Sequence, residues 1–212
     1  MQLPAIHFNQ KYKGHKDVIN SVCLHKSEPI FASGSGDSTI RLYDYELMEQ
    51  LIILRGHTHS VNSVKFKEDI LVSGSSDMSL KLWKSSNKSN SADFTNFFCF
   101  KTLIGHEHAV SYIYNIPDTK ITVSCSRDKT LKFWDVSTGF CRRTISEYHA
   151  EWVRCCDSNS DYFVSSGNDK KLFVFAMKNI LNFDGVKGMV DCMNAFEVHD
   201  NYVEALVISK NV

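Results

Sequence analysis

Five histidines recur along the 212-residue chain at intervals of 42, 49, 43 and 50 residues: His15, His57, His106, His149 and His199. An aspartate follows each of the first four, after 22, 20, 22 and 20 residues, at Asp37, Asp77, Asp128 and Asp169. A serine stands four residues before each aspartate, at Ser33, Ser73, Ser124 and Ser165. An aromatic residue stands six positions after it, at Tyr43, Trp83, Trp134 and Phe175. Four copies of one spacing indicate an internal repeat of a length that builds stacked or radial arrays.

The residues between these landmarks have the pattern of strands and turns. In the second repeat, residues 60–66 alternate apolar and polar side chains, and residues 70–75 and 79–83 flank a short polar turn at Asp77. A further strand precedes each histidine, for example residues 50–54. Four antiparallel strands per repeat form one blade of a β-propeller, and the Gly-His and Trp-Asp pairs resemble the WD-repeat signature. We therefore expect an all-β WD-repeat β-propeller.

The repeats predict a partial propeller and an open ring. A single domain over residues 1–212 would contain four blades, at about 14–48, 56–84, 105–139 and 148–177, and the start of a fifth at 198–212. Residues 6–13 would be the outer strand of a neighbouring blade, and residues 203–208 the first strand of the fifth. Loop insertions are expected at 84–96 and 178–193, the second with a short helical turn. Two apolar blade faces should remain exposed. Such a chain would be a fragment, a truncated member, or one part of a ring that another chain completes.

The recurring histidine, serine, aspartate and tryptophan are expected to form a buried hydrogen-bonded chain in each blade, because imidazole can donate from one nitrogen and accept at the other. Tyr43 can replace the indole donor, whereas Phe175 cannot. The same residue types could suggest a Ser-His-Asp catalytic triad, and His57 with His59, or His106 with His108, could suggest metal ligands. Recurrence at the repeat spacing favours a scaffold role. We therefore predict no catalytic residue, metal or cofactor, and a protein that is not an enzyme.

The overall composition narrows the classes of partner. Lysine and arginine total 24, as do aspartate and glutamate, so no net field draws the chain to nucleic acid or to an anionic membrane. No apolar run approaches the length of a membrane helix. The seven cysteines form no Cys-x-x-Cys pair, which favours a reducing compartment. Electrostatic recognition must therefore come from a local patch.

Arg127, Trp152 and Arg154 depart from the repeat. The positions equivalent to Arg127 hold Gly36, Ser76 and Asn168, and those equivalent to Trp152 and Arg154 hold small or modest side chains. The histidine loop and the aspartate turn must meet, so we expect these three residues to share one face with Glu107 and His108. Arginine and tryptophan are enriched in protein-binding hot spots. The alternative is a solvated arginine beside a tryptophan that fills space between blades.

Four segments resemble blades three and four of the lissencephaly-protein family, whose fungal members are called nuclear-distribution proteins: GHEHAVS at 105–111, SCSRDKTLKFW at 124–134, STGFC at 137–141 and HAEWVR at 149–154. Residues 14–83 are similar to the first two blades of that family, less specifically. The sequence lacks the N-terminal helical dimerisation region and the last three blades of the family.

The resemblance implies a regulator of cytoplasmic dynein that acts in nuclear migration and spindle positioning. It implies binding to the dynein heavy chain, cooperation with dynactin and a nuclear-distribution coiled-coil protein, and a place in the cytoplasm at microtubule ends and the spindle pole. Arg127 and Arg154 match the face that contacts the motor ring, and Trp152 is added on geometry. Glu107 and His108 match contacts on the stalk side. Self-association would need the missing region. The alternatives are a scaffold subunit of a ubiquitin ligase or coat, and a truncated product without independent function.

Overall fold

A computed structural model of the protein describes residues 14–86, 94–182, 190–197 and 199–209. The strand predicted at 6–13 and the middle of both insertions lie outside the described residues. No helix in the described part of the chain is long and apolar enough to cross a membrane.

Four antiparallel sheets of four strands each account for the fold, and in each sheet the strands lie in chain order. Blade one contains β1 (Ile19–Leu24), β2 (Ile30–Ser35), β3 (Ile40–Asp44) and β4 (Glu49–Leu54). Blade two contains β5 (Val61–Lys67), β6 (Ile70–Ser75), β7 (Ser79–Ser85) and β8 (Phe97–Ile104). Blade three contains β9 (Val110–Asn115), β10 (Ile121–Ser126), β11 (Leu131–Asp135) and β12 (Cys141–Ile145). Blade four contains β13 (Val153–Ser158), β14 (Tyr162–Gly167), β15 (Lys171–Ala176) and β16 (Cys192–Glu197). The predicted partial propeller is confirmed.

Two details differ from the sequence-based expectation, namely the length of the insertions and the strand at 203–208, and the helical turn agrees with it. Strand β7 includes Lys84 and Ser85, and β16 begins at Cys192, so both insertions are shorter than predicted. A short helix, α1 (Met177–Leu181), opens the second insertion, close to the predicted helical turn. Residues 203–208 form no strand. They run beside β13, where the Ile208 N–H donates to Asp157 Oδ2, and the Val203 N–H donates to the Gly167 carbonyl at the end of β14. A strand requires a ladder of backbone bonds, which the described residues do not supply.

Apolar side chains from adjacent blades form the core. One cluster joins blades one and two, a second joins blades two and three, and the largest joins blades three and four, where the Phe133 and Phe163 ring centroids lie 5.4 Å apart. The first strands of neighbouring blades pack side by side. Val22 and Leu24 of β1 are 55% and 68% exposed, because among the described residues no blade covers that side. This agrees with the apolar face expected at the start of an open array.

Blade four differs from blades two and three in the sizes of two side chains that pack together, and we call this difference the size exchange. A Cβ on Gly105 would lie 3.2 Å from the Trp134 ring, and the same separation holds for Gly56 and Trp83, so glycine before the histidine makes room for the indole. Blade four has Tyr148 in place of that glycine and the smaller Phe175 in place of the tryptophan. Their ring centroids are 5.3 Å apart. The tyrosine ring therefore fills the space that the indole vacates.

The Tyr148 hydroxyl adds polar contacts that a glycine cannot make. It donates to the Val190 carbonyl over 2.6 Å and accepts from the Cys192 N–H over 3.1 Å, at the start of the outer strand β16. Tyr148 thus compensates blade four both in packing and in hydrogen bonding.

Replacing Phe175 by tryptophan should destabilise the protein by about 1–3 kcal/mol, because the larger ring overpacks the site against Tyr148. In a Tyr148→Gly background the same replacement should be stabilising, because the indole refills a cavity and can reach Ser165. Urea unfolding of the wild type, both single variants and the double variant measures this reversal of sign. Phe175→Trp effects of equal sign in both backgrounds would contradict the size exchange.

Candidate functional site

Blade three contains the complete hydrogen-bonded chain predicted from the repeat. The Trp134 Nε1–H donates to Ser124 Oγ over 2.8 Å, and Ser124 Oγ lies 2.6 Å from His106 Nε2. His106 Nδ1 lies 2.7 Å from Asp128 Oδ2. The carboxylate can only accept from the imidazole, so Nδ1 carries the proton and Nε2 accepts from the serine hydroxyl. Every polar atom of this buried chain therefore has a partner.

The other blades repeat this geometry with local changes. Blade two has the same three contacts, at 2.7 to 2.8 Å, between His57 and Asp77, His57 and Ser73, and Trp83 and Ser73. In blade one His15 lies 2.7 Å from Ser33 and 3.0 Å from Asp37, and the Tyr43 hydroxyl hydrogen-bonds Ser33. In blade four His149 lies 2.7 Å from Asp169 and 2.8 Å from Ser165. Phe175 supplies no donor there.

The aspartates also hold the turns in which they lie. Thr130 donates to Asp128 Oδ1 from both its N–H and its hydroxyl, over 2.9 and 2.6 Å. The residue after each aspartate has a left-handed backbone, with φ between 66° and 70°, at Ser38, Met78, Lys129 and Lys170. That conformation costs about 1–2 kcal/mol for a residue with a side chain. The hydrogen bonds of the aspartate help the turn to tolerate it.

The carboxyl groups of these aspartates remain ionised at neutral pH. Burial alone would raise the pKa of each carboxyl, but hydrogen bonds outweigh burial and lower all four pKa values below the ordinary value. The hydrogen bond that lowers the pKa most comes from Thr39 for Asp37, and from the partner histidine for Asp77, Asp128 and Asp169.

This geometry also weighs against the catalytic and metal-binding alternatives. Ser124 is fully buried, so a substrate cannot reach its hydroxyl. Both ring nitrogens of His57 and of His106 already face a serine and an aspartate, which leaves no lone pair for a metal. The candidates for a functional role are therefore the residues beside this hydrogen-bonded chain.

The aspartate turn and the histidine loop of each blade meet at one end of the propeller. The N–H of the residue before the aspartate donates to the carbonyl of the residue three past the histidine. These four bonds are Gly36 to Val18, Ser76 to Ser60, Arg127 to Ala109 and Asn168 to Trp152, at 2.8–2.9 Å. The shared face that was expected from the sequence is therefore present in all four blades.

A cavity of about 220 Å³ opens on this face, where the first strands begin. Six residues line it: Asn20, Asn62, Ser111, Arg127, Trp152 and Arg154. Arg127, Trp152 and Arg154 are thus brought together as predicted. We call this cavity, lined by these six residues, the rim cavity.

Arg127 lies over the Trp152 ring, with its guanidinium carbon 4.4 Å from the ring centroid. This distance is typical of a cation–π contact, which holds the guanidinium in one orientation. Within residues 14–86, 94–182, 190–197 and 199–209, the Arg127 side chain has no hydrogen bond and no ion pair. A fixed arginine with unused donors is suited to bind a carboxylate or a phosphate.

Arg154 is more strongly engaged within the chain. Its Nε donates to Asn168 Oδ1 over 2.5 Å, its guanidinium carbon lies 4.4 Å from the Tyr202 ring centroid, and its Nη1 is 4.0 Å from Glu204 Oε1. The side chain is 31% exposed. The two arginines of the rim cavity are therefore not equivalent.

Asn20, Asn62 and Ser111 were not identified as site residues from the sequence. Each stands five residues after its histidine and donates to a backbone carbonyl of the next blade. The acceptors are the carbonyls of Val61, Val110 and Val153, at 3.0, 2.7 and 2.5 Å. Their shared position in the repeat could be recognised from the sequence. The sequence did not predict that each side chain would bond a carbonyl more than 40 residues along the chain. These side chains link adjacent blades around the rim cavity.

Glu107 and His108 lie on the same face but do not line the rim cavity. Both are exposed. The Glu107 N–H donates to Asp128 Oδ2 over 3.0 Å, and His108 Nδ1 accepts from the Ala109 N–H over 2.8 Å. They form a separate exposed pair on the histidine loop of blade three.

Comparison with known proteins agrees with this architecture. The profile of the WD domain, G-beta repeat, matches residues 7–44, 48–84, 97–135 and 139–175. Each match ends at the third strand of a blade, and the last three matches each span the fourth strand of one blade and the first three strands of the next.

Curated relatives carry the name nuclear distribution protein. The chain is 38% identical over 181 residues to nuclear distribution protein PAC1 of Arthroderma otae, which covers 79% of this chain and 37% of the relative. It is 39% identical over 156 residues to nuclear distribution protein nudF 1 of Talaromyces marneffei, covering 72% and 32%. It is 34% identical over 191 residues to nuclear distribution protein nudF of Aspergillus niger, covering 85% and 41%.

The chain thus spans between about a third and two fifths of the length of these relatives. The repeats, the four blades and the relatives agree, and the resemblance seen in the sequence is confirmed. The chain belongs to the WD-repeat family, as a relative of the nuclear distribution proteins PAC1 and nudF.

Proposed function

We propose that the chain binds the motor domain of cytoplasmic dynein and helps to regulate it, as a protein-binding propeller and not as an enzyme. The dynein heavy chain is the proposed partner, with dynactin and a nuclear-distribution coiled-coil protein in the same pathway. The processes would be nuclear migration and spindle positioning, in the cytoplasm at microtubule ends and the spindle pole. The names of the relatives support a nuclear-distribution role.

The observation that carries the proposal is the arrangement of Arg127 on Trp152 at the rim cavity. A rigid aromatic plate beside an arginine with unused donors has the composition of an interface hot spot. Arg154 extends the positive charge along the same rim. In this proposal the rim cavity receives acidic side chains of the motor ring.

Glu107 and His108 would form a second contact, toward the stalk of the motor. They are exposed on the histidine loop of blade three and separate from the rim cavity, which suits a contact with a different part of the partner. The relatives are longer than this chain, and surfaces beyond it would contribute to the affinity of the whole proteins.

Binding to the motor domain should weaken on the order of tenfold when the salt concentration rises from 50 to 300 mM, because the screening length falls from about 14 Å to about 6 Å over this range. Fluorescence anisotropy with a labelled motor domain measures the dissociation constant at each salt concentration. A dissociation constant independent of salt, or no binding at 50 mM, would contradict the proposal. Affinity purification that recovers a ubiquitin ligase or coat assembly without any dynein subunit would favour that scaffold role instead.

A further inference from the structure

The segment after His199 places a carboxylate against one of the two rim arginines. Glu204 stands five residues after His199, the position that holds Asn20, Asn62, Ser111 and Arg154 in the four blades. The first three of these side chains bridge to the backbone of the next blade. At the boundary between blade four and this segment, a pair of opposite charges replaces the bridge.

In the described residues the Arg154 side chain makes no such bridge to a backbone carbonyl, and its Nε donates to Asn168 instead. It stacks on Tyr202, three residues past His199, with 4.4 Å between the guanidinium carbon and the ring centroid. Val203, between Tyr202 and Glu204, is buried, and its N–H donates to the Gly167 carbonyl over 3.1 Å. This anchor keeps Tyr202 and Glu204 beside Arg154.

The contact between Glu204 and Arg154 is loose enough to be displaced. Glu204 Oε1 lies 4.0 Å from Arg154 Nη1, beyond hydrogen-bonding distance, and the glutamate side chain is 70% exposed. In the part of the chain that the structure describes, neither Nη atom of Arg154 has a hydrogen-bond acceptor. An incoming carboxylate could make a direct bond to these donors, which Glu204 does not make.

We propose that Glu204 is an internal competitor that tunes the rim cavity for acidic protein segments. This inference rests on the proposed function in that it names the chemistry of the partner surface. Glu204 lowers the affinity for any single carboxylate by partly neutralising Arg154 and by repelling negative charge. A partner therefore needs several carboxylates in one segment to displace Glu204 and to reach Arg127 as well.

Glu204→Gln should tighten binding of a fluorescent hexaglutamate peptide to the full 212-residue chain by about two- to fivefold at 50 mM salt, the range expected for one exposed charge pair. The gain should disappear in an Arg154→Ala background and at 500 mM salt. Glu49→Gln is the matched control, because Glu49 is an exposed carboxylate at the start of β4 and should leave the affinity unchanged. A hexaglutamine peptide, which has no negative side chains, should bind neither the wild type nor Glu204→Gln.

Two results would overturn the proposal: equal hexaglutamate affinity of the wild type and Glu204→Gln, or no measurable binding of the peptide to either. A second titration with the dynein motor domain separates this inference from the proposed function. If the motor domain fails to bind while Glu204→Gln still tightens hexaglutamate binding, the dynein assignment fails and the internal competitor stands. If the motor domain binds the wild type, and the wild type and Glu204→Gln bind hexaglutamate with the same affinity, the internal-competitor proposal is wrong and the proposed function stands.

Discussion

His106→Ala should lower the free energy of unfolding by about 3 kcal/mol, because it leaves buried polar groups without partners and opens a cavity. Asp128 would lose the imidazole that faces its Oδ2 at 2.7 Å, and the Ser124 hydroxyl would lose the acceptor at 2.6 Å. His106 is also 6% exposed, so water does not readily replace it. Urea unfolding followed by tryptophan fluorescence gives the change in stability.

His108→Ala is the matched control, two residues along the same loop. His108 is exposed, and surface substitutions of this kind typically change stability by no more than about 0.5 kcal/mol. His149→Ala should lie between the two, because Ser165 in blade four receives no indole hydrogen bond. A loss of stability for His106→Ala no greater than that for His108→Ala would remove the polar chain as a main support of the blade.

The spacing of the repeat was sufficient to predict both the blades and the polar chain. A hydrogen-bonded chain from Trp134 to Asp128 requires fixed offsets between its members, so the spacing of these residues in the sequence predicts their contacts. The replacement of tryptophan by Phe175 could likewise be recognised as the loss of a donor. Its compensation by Tyr148 could not, because that depends on which ring occupies the space beside the third strand.

The rim cavity was only partly predictable. Arg127, Trp152 and Arg154 departed from the repeat, and the meeting of loop and turn placed them on one face. The difference between the two arginines required the positions of Asn168, Tyr202 and Glu204, which lie on other segments. The strand expected at residues 203–208 was wrong, because a run of apolar and β-branched residues indicates a preference for extended backbone and does not supply a partner strand.

Replacing Arg127 and Arg154 together by alanine should weaken binding to the dynein motor domain by about 2 kcal/mol or more, close to 30-fold in the dissociation constant. The loss follows from removing the two cations of the rim cavity. Arg127→Ala alone should account for most of it, because the donors of Arg127 have no acceptor in the described residues, whereas Arg154 already contacts Asn168, Tyr202 and Glu204.

Lys26→Ala with Lys120→Ala is the matched control, since it removes two positive charges from exposed turns at the opposite end of the blades. Because both double variants remove two positive charges, this control distinguishes a loss of affinity specific to the rim cavity from a general effect of net charge on affinity. The Lys26 and Lys120 double variant should unfold at the same urea concentration as the wild type. The Arg127 and Arg154 double variant should remain folded but lose about 1 kcal/mol, because Arg154 donates a hydrogen bond to Asn168.

The most direct test of the account is the dissociation constant of the labelled motor domain for these three proteins, measured side by side at 50 mM salt. We expect the Arg127 and Arg154 double variant to bind about 30-fold more weakly than the wild type, and the Lys26 and Lys120 double variant to bind as the wild type does. Equal affinity of all three proteins, or an equal loss in both double variants, would contradict a dynein-binding site at the rim cavity.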